Sequence, residues 1–172
     1  ANSTQAVFNG GGTTIALQTG TTAGSIVITP SFAMPGGFDL TPPTPDVLTL
    51  TIGRSAPQLL SASITGQTLN SFNLVLSGYS TTRTVRQLEI QITPKQGENL
   101  STSRLTLDVT SVSSSWFQST ASQPFGGAFL VAIPFALQNG STTDDLVRRL
   151  QSLSIAAINE SGASAPMVVS IP

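Results

Sequence analysis

The sequence predicts an all-β protein, and three observations carry that expectation. Apolar and polar residues alternate with a period of two in several short stretches, Gly, Pro and Ser punctuate the intervals between them, and no helical pattern alternates with them as an α/β chain would require. Composition fits a hydroxyl-rich β protein. The 172 residues include 7 basic and 8 acidic residues against 23 Ser and 23 Thr, whereas a typical soluble domain has about a quarter of its residues charged.

In chain order, the first strands are expected at residues 13–18, 25–32 and 47–52. In the last of these Leu48, Leu50 and Ile52 share one face and Thr49 and Thr51 the other. The Pro- and Gly-rich stretch 34–45 is too long for a simple hairpin turn. After further punctuation at 53–57, strands are expected at 58–64 and 72–77. Residues 87–92 alternate without a break, placing Leu88, Ile90 and Ile92 inward, and 104–109 repeat the pattern with Leu105, Leu107 and Val109. The two should form a hairpin whose turn chemistry comes from Pro94, Lys95, Gln96 and Gly97. A strand at 129–137 contains Pro134, which cannot donate to a ladder and so calls for an edge position or a bulge. One short helix is expected at 142–150, with Thr142 as cap and Asp145 reaching back to it. Strands at 152–158 and 166–171 close the chain.

The punctuation at 53–57 divides the chain into residues 1–54 and 55–172. Only the second is long enough for a complete sandwich of about 100 residues. The first is expected to be a partial β unit, either the end of a preceding module or an accessory sheet covering the larger one.

Chemistry is constrained by missing residue types. The chain has no His and no Cys, which removes Ser-His-Asp and Cys-His nucleophiles and most zinc or haem ligand sets. Eight carboxylates remain, and no motif places two of them across a cleft as glycoside hydrolysis needs. Asp144 and Asp145 lack the spaced ligands of a calcium loop and read as charges at a helix start. Gly10 to Gly12 precede no phosphate-binding fingerprint and read as a loop. Lys95, the one lysine that could form an intramolecular amide cross-link, falls in a turn rather than a core. No enzyme activity, metal or cofactor is expected.

A net charge of −1 with scattered basic residues offers no field for a phosphate backbone, so nucleic acid is not an expected partner. No apolar run approaches the roughly 18 residues of a spanning helix. The lack of Cys suits an exported bacterial chain that folds without oxidative help. No signal-peptide pattern opens at Ala1, so any export signal is expected to have been removed or to lie upstream. Sequons at Asn2, Asn99, Asn139 and Asn159 arise readily by chance in a chain this rich in Ser and Thr.

Trp116, Phe117 and Phe125 are the only aromatic concentration. Exposed, they would form a ligand-binding platform for a pyranose face. The alternative is that Trp116 plugs one end of the core and Phe125 starts a strand, which the scarcity of large apolar residues favours. Tyr79, beside Gly78, is expected to lock a corner of the core.

From Ser55 onward the chain resembles the immunoglobulin-like modules found toward the C-terminal ends of large secreted proteins of soil bacteria. The stretches that carry the resemblance are 58–65, 72–82 with Gly78 and Tyr79, 90–97, Ser115-Trp116-Phe117-Gln118, 121–126, Ile133-Pro134-Phe135, and 153–165 around Asn159 and Gly162. Residues 116–126 are the most specific part. The leading segment resembles the final strands of a preceding module, most clearly over 21–32. The resemblance implies an immunoglobulin-like sandwich over 55–172 and a spacer or adhesive role at the cell surface or outside the cell. It carries no catalytic residues. Neighbouring modules of the same protein, other surface proteins or a glycan would be the partners. Assembly of a fibre by strand addition is a further alternative, because a short leading unit could complete a neighbour's sheet edge.

Overall fold

Alternating residues bury one face of a strand and leave the other to water, and that pattern builds most of this chain. The computed structural model describes residue 5 and residues 7–34, 36–138 and 145–172. Its strands are β1 (Gly24–Ile28), β2 (Leu48–Ile52), β3 (Gln58–Thr65), β4 (Ser71–Tyr79), β5 (Gln87–Pro94), β6 (Arg104–Asp108), β7 (Ala128–Ala136), β8 (Leu150–Asn159), β9 (Gly162–Ala163) and β10 (Met167–Ser170). One α-helix, α1 (Thr110–Gln118), lies between β6 and β7. The strand pairings are antiparallel, so the protein is predominantly β as expected.

Strands β3, β4 and β7 form one sheet in that order, and β10, β8, β5 and β6 form another, with β9 paired to the end of β8. A shared core joins these two sheets. Phe72, Leu74 and Leu76 of β4 are buried together with Leu88, Ile90 and Ile92 of β5 and Leu153, Ile155 and Ala157 of β8. Burying one large aliphatic or aromatic side chain contributes about 1.5–3 kcal/mol, so these central strands dominate the stabilisation. Phe72 and Phe135, opposite each other on β4 and β7, stack at 4.8 Å between centroids.

Irregularities have local causes. On β3 the register shifts between Leu59 and Ser61, so Leu60 is an extra residue whose side chain is turned outward and is 64% exposed. Pairing of β7 with β4 runs unbroken through Pro134 opposite Asn73. Among the described residues no other strand pairs with β7, and that edge position tolerates the missing N–H without a bulge. The β5–β6 hairpin forms as expected, with Leu88 opposite Leu107 and Ile90 opposite Leu105.

Several expectations need correction. Residues 13–18 are not a strand, and Ile15 and Leu17 are exposed with no neighbour to pair against. The strand expected at 25–32 stops at Ile28, just before Thr29 and Pro30, where the ring and the missing N–H end the ladder. Thr142 and Asp144 of the expected helix lie outside the described residues. Beyond them only Val147–Arg149 forms a 3-10 turn, and Asp145 accepts the Arg148 N–H at 3.1 Å and pairs with its guanidinium at 3.0 Å. The α-helix sits instead at Thr110–Gln118, where serines mask an apolar spacing of Val109, Val112 and Trp116. Tyr79 is half-buried on the outward row of β4, so it is not a core residue.

Ahead of this two-layer body, β1 and β2 pair as a separate two-stranded ribbon, from Gly24 opposite Ile52 to Ile28 opposite Leu48. Every apolar member of the core cluster lies at or beyond Leu59. The ribbon supplies none of that core, and residues Thr21 and Ala23 just ahead of it are hydrogen-bonded to the body.

Candidate functional site

The aromatic residues singled out by the sequence separate in space. Phe117, on the inward side of α1, is 6% exposed and belongs to the core. The Arg83 guanidinium carbon lies 5.5 Å from its ring centroid, a cation–π contact. Trp116 is half-buried, and its indole Nε1–H donates to the Ala128 carbonyl at 3.0 Å. Phe125 ends the 3-10 turn Thr120–Phe125 and is 58% exposed. It lies 6.4 Å from Trp116 with the ring planes tilted by 30°. The structure thus brings Trp116 and Phe125 together at the surface and leaves Phe117 out of that pair. Strand β7 begins at Ala128, after Phe125.

Arg83 organises this corner. It sits at φ +54°, uncommon for a residue with a Cβ. Its guanidinium donates to the Phe117 carbonyl, to the Ser122 hydroxyl at 3.0 Å and to the Gly126 carbonyl at 3.0 Å. Phe117 supplies one of the carbonyls left without an intrahelical partner at a helix C-terminus, where a cation is also favoured by the dipole. The fork geometry of Arg suits three acceptors in one place.

Recesses flank α1 on two sides. An apolar cleft of about 70 Å³, lined by Val85, Leu88, Val112, Trp116 and Leu130 among others, is well below the several hundred Å³ of a small-molecule site. A polar recess of about 380 Å³ lies beside Arg83, Arg86, Thr110, Ser113 and Gln118. Its groups are largely committed: Ser113 Oγ accepts the Val85 N–H at 2.8 Å, Thr110 Oγ1 donates to the Arg86 carbonyl at 3.2 Å, and Gln118 donates to Ser114 at 3.0 Å. Arg86 faces Glu160 at 3.8 Å.

The most highly connected polar cluster was not visible in the sequence. Where the leading segment meets the two-layer body, Asn159 is 5% exposed, and its Nδ2 lies 2.9 Å from the Ser55 carbonyl, 3.2 Å from Ser80 Oγ and 3.0 Å from Thr82 Oγ1. Its Oδ1 accepts the Ser161 N–H at 2.8 Å, which shapes the turn into β9. Ser55 N donates to Thr81 Oγ1 at 2.9 Å and Ala23 N to the Thr81 carbonyl at 2.7 Å. Gly127 N donates to Thr21 Oγ1 at 2.9 Å. These bonds fasten both residues 21–23 and the connector 53–57 to one pole of the body.

Glu160 borders this joint. The Thr84 hydroxyl donates to its carboxylate at 2.6 Å and holds its pKa below the ordinary value. Asp108 is lowered too, by hydrogen bonding with Thr110 at the start of α1, whose backbone N–H donates to the carboxylate at 2.9 Å. Lys95 is exposed beside the turn after β5. Among the described residues no three His, Cys, Asp or Glu side chains gather as a metal-ligand group, and no helix is long and apolar enough to cross a membrane. Asn99 is exposed, whereas the Asn159 amide is spent inside the joint. No protein-family model matches the sequence, and no curated protein is significantly similar to it.

Proposed function

We propose that residues 55–172 are an immunoglobulin-like sandwich acting as a non-enzymatic spacer or adhesive module of an exported bacterial protein, at the cell surface or beyond it. The strand orders β3-β4-β7 and β10-β8-β5-β6 support the fold reading, because an immunoglobulin-like Greek key divides its seven strands between sheets of three and four. The observation that carries the functional reading is where the chain enters and leaves. Strand β8 runs from the pole of Leu150 to the pole of Asn159. The chain arrives at the Asn159 pole, where Asn159 holds the Ser55 carbonyl. It leaves at the other, where Ile171 N donates to the Gln151 carbonyl at 3.0 Å. A unit threaded from pole to pole adds its length to a longer protein. At roughly 3.3 Å per residue, the steps from Gln151 to Asn159 (159 − 151 = 8) span about 26 Å. The lack of His and Cys supports the non-enzymatic role, and the Ser- and Thr-rich, Cys-free composition supports export.

Small-angle scattering on the full natural polypeptide, with and without residues 55–172, tests the reading. The maximum dimension should fall by at least about 26 Å on deletion. An unchanged dimension, or a chemical activity that disappears with these residues, would overturn it.

A glycan-binding role has one observation in its favour, the exposure of Phe125 against Trp116. A glycan array on which the wild-type chain binds and Phe125→Ala does not would establish it. An array without hits would remove it.

A further inference from the structure

The leading ribbon repeats the aliphatic pairs of the closing hairpin of the two-layer body, though Val27 opposite Thr49 falls on Ser154 opposite Val168 with the valine on the other strand. Place Ser25 opposite Thr51 over Ser152 opposite Ser170. Ile26 opposite Leu50 then matches Leu153 opposite Val169, and Ile28 opposite Leu48 matches Ile155 opposite Met167. One step outward, Gly24 opposite Ile52 falls on Gln151 and Ile171, which are joined by a backbone hydrogen bond. Both hairpins carry aliphatic side chains along one face and put their serines and threonines on the other. The connections differ, residues 29–47 in the ribbon and 160–166 in the hairpin, so the match lies in the strands alone.

What differs is cover. In the closing hairpin, Leu153 and Ile155 are 0% exposed, packed in the core with Phe72, Leu74 and Leu76 of the facing sheet. In the ribbon Ile26, Ile28, Leu50 and Ile52 are only half-buried, Leu48 is 57% exposed, and none belongs to the core. A lone two-stranded ribbon is marginal in water, and a continuous apolar face marks an interface. Among the described residues before Gly24 no strand exists to cover it, and Val7, Phe8, Ile15 and Leu17 are themselves exposed. The β4 sheet of a second copy cannot supply the missing cover, because its own Leu74 and Leu76 are fully buried.

We propose that β1 and β2 are the closing hairpin of a second two-layer body, and that their aliphatic face docks against a facing sheet encoded ahead of Ala1 in the same polypeptide. The order of elements sets the direction. Strands β8 and β10 come last in their own body, so the strands that β1 and β2 need must precede them. The connector 53–57, with its clamps to Asn159 and Thr81, is then the joint between two bodies. This rests on the module reading above, but its test is separate.

The sequence has no Cys, so single cysteines report exposure cleanly. Leu50→Cys and Val27→Cys would be labelled with a maleimide in residues 1–172 and in the natural polypeptide extended upstream. Leu50→Cys should label readily in the short chain and at least about 100-fold more slowly in the long one, where only opening would expose it. Val27→Cys, on the opposite face, should label readily in both. A second variant guards against misfolding of the first. Leu50→Lys should leave the melting of residues 1–172 unchanged and lower a melting transition found only in the long chain. Equal labelling of Leu50→Cys in both chains, its protection in a dimer of the short chain, or the absence of strand-forming sequence upstream would overturn the proposal. None of these outcomes touches the scattering test of the spacer reading.

Discussion

A methyl group on Gly127 would lie 2.3 Å from the Ser80 carbonyl oxygen and 3.1 Å from that of Thr21, both backbone atoms that cannot swing aside. Gly127 thus lets the leading segment approach the body closely enough for its own N–H to reach Thr21 Oγ1. Gly127→Ala is expected to cost about 1–3 kcal/mol, the usual penalty for overpacking a close contact, measured by urea denaturation. A neutral result would mean that the backbone at Ser80 and Gly127 does not approach this closely in solution. Glu160 gives a residue-scale prediction in pH. Its folded pKa is lowered, first by the Thr84 hydroxyl, so the interaction contributes stability above the unfolded value of about 4.3. That contribution is lost as the pH falls through the folded value. Melting temperatures of wild type and Glu160→Gln should therefore differ more at pH 7 than at pH 3. Because the carboxylate is largely solvated, the difference should be small and should shrink with salt.

At the scale of elements, α1 is the piece whose placement most depends on one distant side chain. Serines at 111, 113, 114 and 115 give the helix little propensity, and its C-terminal carbonyl at Phe117 is held by Arg83 from the β4–β5 connection. Arg83→Met keeps the apolar stem and removes the donors. It should cost at least about 1.5–3 kcal/mol, the range for one hydrogen bond to a charged group, and shift the emission of Trp116, the sole tryptophan. A variant with unaltered emission and stability would show that α1 holds itself. The same helix marks the limit of what the sequence discloses. Strands β5 and β6 were legible because Leu88, Ile90 and Ile92 alternate without interruption. The helix was not, because its spacing of Val109, Val112 and Trp116 is diluted by residues that favour caps and turns. The bulge at Leu60 was hidden as well, since two adjacent leucines give no sign of which one faces out. Among site residues, Trp116 and Phe125 stand out by size alone. Thr21, Ser55 and Thr81 do not, being unremarkable members of a chain with 23 Ser and 23 Thr. Their importance comes from three-dimensional convergence on one pole, which no spacing encodes.

For the whole molecule, the question is whether the two-layer body depends on what precedes it. Its apolar core draws on no described residue before the connector 53–57, of which Pro57 is fully buried. Residues 21–23 reach the body through two hydrogen bonds, from Ala23 N to the Thr81 carbonyl and from Gly127 N to Thr21 Oγ1. A single intramolecular hydrogen bond contributes about 0.5–1.5 kcal/mol net, so losing both should cost about 1–3 kcal/mol. Truncation to residues 53–172 retains Ser55, and with it the bond from Asn159 and the contact with Thr81. The shortened chain should therefore fold, melt in one cooperative transition and lose about 4–24 °C, since about 1 kcal/mol corresponds to roughly 4–8 °C for a domain near 100 residues. Circular dichroism melts of the two chains would decide the matter. If 53–172 fails to fold, the leading segment is part of the body rather than an appendage bound at its pole. If it folds with no loss at all, the clamps at Thr21 and Ala23 are not formed in water. A loss of that size with the fold intact would leave a self-sufficient unit with a defined polar joint, which is the mechanical property a rigid spacer needs.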